Sequence, residues 1–161
     1  MNAQTWLSLV VYGRPAPQGS KRHLGKGVMV ESSKHVKPWR EDVRAAALGA
    51  IEHCANRGCD SLADGYPLDG PIVVRMVFTV AKPKNAPKTR RTWPATMPDL
   101  SKLARSTEDA LTSAGVWRDD ARVVEYERLA KVYPGEDPDA LDRPGALIAV
   151  RLLTDASKET S

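Results

Sequence analysis

Two stretches whose apolar residues return every three or four positions, each set between β-branched runs, restrict this chain to a layered α+β arrangement. From Pro38, the segment WREDVRAAALGAIEHCANR puts Trp39, Val43, Ala46, Ala47, Ala50, Ile51 and Cys54 on one face, with Glu41 and Asp42 in its first turn and Gly58 just past its end. From Asp99 to about Ser113 the same period aligns Leu100, Leu103, Ala104, Thr107, Ala110, Leu111 and Ala114. Lys102, Arg105, Ser106 and Asp109 take the exposed side, and Gly115 ends the helix. Thr5–Tyr12, Pro71–Ala81, Ala121–Tyr133 and Ala146–Leu153 read as strands, the last two as antiparallel neighbours, and Val28–Ser32 as a short strand pairing back. The expected order is therefore β-β-α-β-α-β-β, in a mixed or antiparallel sheet with two main helices.

The 161 residues suffice for one domain with its own core, assigned to 1–154, followed by a polar tail at 155–161. A hydrophobic share of 42% and a charged share of 27% set aside wholesale disorder and coiled coils. No apolar run approaches the roughly 20 residues that span a bilayer, and MNAQTWLSLV lacks the basic start of a signal peptide, so a cytoplasmic protein with no membrane partner is expected. Cys54 and Cys59 suit a reducing compartment, and with His53 they lack zinc spacing.

The basic residues are clustered. Between Gly13 and Glu41, Arg14, Lys21, Arg22, Lys26, Lys34, Lys37 and Arg40 face only Glu31 and Glu41. Lys82, Lys84, Lys88, Arg90 and Arg91 follow in a second stretch, up to Met97, that holds no acid. Two converging basic loops form the footprint a nucleic acid selects. Arg14, Lys21, Arg22, Lys88, Arg90 and Arg91 are assigned to phosphate contacts by charge and location, and Trp93 to stacking on an unpaired base. His23 and His35 lie in the first loop, while Trp6, Trp39 and Trp117 fall on core faces. The acidic, turn-rich Gly135–Asp142 segment reads as solvated.

A nuclease commonly holds Mg²⁺ on a few carboxylate oxygens; Asp99 directly follows the second basic loop, and Asp119 with Asp120 lies one helix further on. A helix of about fourteen residues is roughly 21 Å long, and six extended residues return roughly 20 Å, so the Asp pair can come back beside Asp99. The structural alternatives are an N-cap for Asp99 and a turn for the pair. Asp109, roughly 15 Å along the helix from Asp99, reads as structural.

PDLSKLARSTEDALTSAGVWRDDARVV, Pro98 to Val124, resembles the signature of the RusA family of phage and prophage Holliday junction resolvases, a PDxDNLxK-type helix followed by DALxxAGxxxDDxxV. GRPAPQGSKR, Gly13 to Arg22, is similar to that family's opening, Pro38-Trp39 fits its layout, and Lys131 falls where members place a basic residue and is assigned with the other cations to DNA binding. The resemblance implies a homodimeric, Mg²⁺-dependent endonuclease, with Mn²⁺ as an alternative metal, that cuts four-way DNA junctions by paired symmetric nicks. Its metal-binding or catalytic aspartates correspond to Asp99 and Asp120, with Asp119 beside them. Ser101 replaces a second helix aspartate, Lys102 an asparagine, and Arg105 the catalytic lysine, where a guanidinium clamps phosphate but exchanges no proton. These departures leave an active enzyme, with Ser101 as a neutral metal ligand, or a branched-DNA-binding module that cuts poorly. A small-molecule enzyme or scaffold with incidental basic loops is the reading from another class. Ala146–Leu153 is the candidate dimer surface.

Overall fold

The period of two in Leu7–Tyr12 makes β1, whose Leu7, Leu9 and Val11 point inward while Ser8, Val10 and Tyr12 point out. The structure, a computed structural model, describes residues 6–19, 22–23, 29–30, 34–57 and 65–153, with backbone alone at 22–23, 29–30 and 55–57. Arg22–His23 (β2) and Met29–Val30 (β3) form their own antiparallel ladder, so the expected short strand pairs within the loop and not with β1. Helix α1 covers Val36–Arg57. It starts two residues before Pro38, which its first turn tolerates, and so Glu41 and Asp42 lie beyond that turn.

Ile72–Thr79 (β4) leads through a long loop to α2, Leu100–Ala114; a 3₁₀ turn at Asp120–Arg122 then opens β5, Val123–Val132, and Gly145–Leu152 forms β6. The expected α+β order of main elements holds. The sheet runs β1-β6-β4-β5, with β6 antiparallel to both neighbours and β4 parallel to β5. β5 and β6 are therefore not neighbours, and β4 lies between them. The reason is burial: β6 sinks Ala146, Ile148, Ala149 and Val150 on both faces, which an edge position would expose, whereas β5 carries Glu125, Glu127, Arg128 and Lys131 and tolerates the edge. An interior β6 also has no free edge to offer as a dimer surface.

Both helices pack on one face of the sheet, where Trp39, Val43, Leu103 and Leu111 meet Ile72, Val74, Met76 and Phe78. The Trp39 indole Nε1–H donates to Thr107 Oγ1 at 3.1 Å inside this core. Trp117 and Cys54 are buried as expected, while Cys59 and the 154–161 tail lie outside the described residues. No helix among the described residues is long and apolar enough to cross a membrane.

Candidate active site and nucleic-acid interface

Asp99 has N-cap backbone geometry for α2, yet its side chain makes no capping hydrogen bond. The carboxylate is instead half exposed, 3.5 Å from the Lys102 ammonium. Lys131, at the end of β5, donates to the Thr96 and Pro98 carbonyls, each at 2.7 Å, and so fixes the segment that presents Asp99. Partial burial lowers the Lys131 pKa, and the nearby Asp99 charge opposes that shift. Ser101 and Arg105 are exposed on the first turns of α2. Ser106, expected on the exposed side, is buried and donates to the Ala16 carbonyl at 2.6 Å. With the Gln18 N–H bonded to the Lys102 carbonyl at 3.0 Å, this contact holds the loop that begins at Arg14 against the start of α2.

The Asp119–Asp120 pair sits elsewhere. Gly115, at φ 80°, closes α2 in the left-handed conformation. The chain is then captured by the 66–70 segment, through Leu68 N–H to Val116 O at 2.9 Å and Arg118 N–H to Leu68 O at 3.1 Å. This capture prevents the extended return expected from spacing, and β5 carries Lys131, not the aspartates, back to Asp99.

Asp119 caps the 3₁₀ turn by accepting from Ala121 N–H at 2.7 Å. That bond, followed by one with Asp120, holds its pKa down. Partial burial, then the hydrogen bond and charge of Asp119, then the Asp109 charge push the Asp120 carboxyl up. Glu108 is likewise raised, first by burial and also by Asp120 and Asp109, against the hydrogen bond that Tyr126 donates to it. Asp109 is structural, paired with Arg40 at 3.0 Å. Asp120 thus faces the middle of α2, while Asp99 lies ten residues from Asp109, roughly 15 Å along the helix. Among the described residues of one chain, no three His, Cys, Asp or Glu side chains gather where they could hold a metal ion. Glu108 and Tyr126 were missed in sequence; the available signal was the helical spacing of Ser101, Arg105 and Glu108 along one side of α2.

The acidic turn expected to be solvated is the counter-ion of the second basic loop. Asp137, its side chain only 2% exposed, pairs with Arg91 and Arg128, both at 2.7 Å. Glu136 pairs with Lys82 at 2.8 Å and accepts from Thr92 N–H at 2.9 Å. The Arg128 hydrogen bond holds the Asp137 carboxyl far below the usual carboxylate range. Arg91 is thereby tied down, and it also lies over the Trp93 ring, 5.0 Å from its centre, with Trp93 itself 64% exposed. Arg14, Lys88 and Arg90 are exposed and have no ion-pair partner among the described residues. Lys21 and the side chains of Arg22 and His23 lie outside the described residues. His35 is half-buried at the head of α1, its pKa lowered by that burial and by the Arg14 and Lys34 charges.

A half-exposed Asp99, a mutually repelling Asp119–Asp120 pair and the exposed Arg14, Lys88 and Arg90 are groups suited to a polyanion backbone and its hydrolysis, as in a nuclease. The family model described as endodeoxyribonuclease RusA matches residues 13–140. The chain belongs to this RusA family of Holliday junction resolving endonucleases. No curated protein matches it.

Proposed function

We propose that this chain is a Mg²⁺-dependent endodeoxyribonuclease, with Mn²⁺ as an alternative, that acts as a homodimer and nicks a four-way DNA junction symmetrically. The observation that carries the reading is the Asp99 carboxylate, which occupies a cap position without capping and stays half exposed at the head of α2. Asp99, Asp120 and Asp119, with Ser101 as a neutral oxygen, are the groups that would hold the cation; the unneutralised repulsion around Asp120 fits such a donor set. A bound divalent cation supplies Lewis acidity toward the phosphate and a more acidic water. Arg105 and Lys102 are assigned to phosphate stabilisation, and Arg14, Lys21, Arg22, Lys88 and Arg90 to the DNA backbone.

Dimerisation answers the separation of the acids. β5 is an edge strand whose Val124 and Tyr126 are 58% and 41% exposed, with Asp119–Asp120 at its head and the Lys131–Asp99 group at its tail. An edge pairing antiparallel with its own copy sets head against tail, so the acids of two protomers approach each other. The same two-fold axis matches a junction that is cut on two opposed strands.

The Lys102 ammonium, already 3.5 Å from Asp99, favours a second reading in which the protein binds branched DNA and cuts it poorly. Incubating a labelled junction with Mg²⁺ or Mn²⁺ separates the two. Paired nicks by the wild type, absent in Asp120→Asn and lost together with the dimer in Val124→Lys by sedimentation, are the expected result. Tight junction binding with no nicking above the Asp120→Asn background establishes the second reading.

A further inference from the structure

Where β4 and β5 end, the chain leaves an apolar hollow of about 530 Å³ that the reading above does not use. This is the size range of small-ligand sites. Pro15 and Tyr133, both buried, line its floor; Val80 and Pro98 are half-buried in its sides; Arg14 and the 77%-exposed Met97 stand at its rim.

Three observations select an occupant. The lining is flat and apolar, surfaces of proline, methionine and tyrosine that suit a planar ring. The cation at the rim, Arg14, has no acidic partner among the described residues and suits a phosphate. Met97 and Pro98 directly precede Asp99, within about 7 Å of chain, and Lys131 fixes that segment to β5. A flat ring that stacks through its faces and is linked to a phosphate fits a nucleotide.

Resting on the junction-endonuclease reading, we propose that this hollow receives one unstacked nucleobase of a junction strand, beside the nucleotide whose phosphate is presented to Asp99, and so biases where the strand is cut. Extruding a base costs least where the helix is already interrupted, as at a branch point. Trp93 does not line the hollow and is a separate surface.

Ala81 is exposed and also lines the hollow, so Ala81→Trp fills it without touching the core. The test uses the full chain, a fluorescent four-way junction and a linear duplex, with metal withheld so that nothing is cut. Ala81→Trp is expected to weaken junction binding about tenfold, within the range for one stacked base, and to leave duplex binding unchanged. Abasic nucleotides are then placed one at a time beside the crossover; at one position the wild type weakens about tenfold and Ala81→Trp loses its effect. Met97→Ala, at an exposed wall, should weaken the intact junction in the same direction. A folded Ala81→Trp that binds the intact junction as the wild type does overturns the nucleobase site while leaving the nuclease reading in place. A wild type that binds junction and duplex alike overturns the reading on which it rests.

Discussion

Asp137 shows how little a residue's sequence neighbours say about its role. It sits in GEDPDALD, a run that resembles solvated loop, yet its partners are Arg91 and Arg128, the former 46 residues away. Its folded pKa is depressed, so its contribution to stability is complete above the ordinary aspartate value of about 3.9 and is lost as pH falls toward the folded value. Asp137→Asn is expected to cost about 1.5–3 kcal/mol at pH 7, the range for charge-assisted hydrogen bonds, in urea unfolding. The difference from wild type should shrink below about pH 4; a difference constant down to pH 2 contradicts this account. Lys131 is the second residue whose role comes from its partners. Assigned to DNA in sequence, it instead positions the segment before Asp99. Lys131→Met should lower single-turnover nicking by up to about a hundredfold, the scale of a 1 Å misplacement, with junction affinity and melting temperature little changed. Equal losses in binding and rate would return Lys131 to the DNA surface.

At the scale of elements, both helices are legible because their apolar period is a local property, visible in fifteen to twenty consecutive residues. The same pattern puts Ser106 on the wrong side, since only the docked 14–18 loop supplies the Ala16 carbonyl that makes its burial tolerable. Neighbouring Thr107 lies in the core as its spacing predicts, but its task is polar: it accepts from the Trp39 indole and donates to the Leu103 carbonyl at 2.8 Å. Thr107→Val keeps the shape and orphans the buried indole N–H, so the cost expected from chemical denaturation is about 1–3 kcal/mol. Thr107→Ser, which keeps the hydroxyl, should recover most of it. Strand existence is readable for the same local reason, whereas strand order is not. An apolar run such as ALIAV is compatible with several places in a sheet, and only the demand that both its faces be covered puts β6 inside.

For the whole molecule, the decisive quantity is which charges are left after folding. Lys82 and Arg91 are spent on the acidic turn, while Lys88 and Arg90 are not. The salt dependence of junction binding should reflect that division. Lys88→Ala with Arg90→Ala is expected to reduce the slope of log K against log salt by roughly 1.8, about 0.9 for each phosphate that is no longer neutralised. Arg91→Ala should change the slope less and the thermal stability more; the opposite ranking would mean that the acidic turn releases Arg91 to DNA. The amino-acid sequence by itself determined the two helices, the strands, the cationic character and the residues that mark the RusA family, because each is written in contiguous spacing. The tertiary structure alone decided that β6 is interior, that Lys82 and Arg91 of the second basic loop are neutralised, and that Asp99 and Asp120 lie apart in one chain. Those outcomes depend on hydrogen bonds and ion pairs between residues dozens of positions apart, for which no local pattern carries the register.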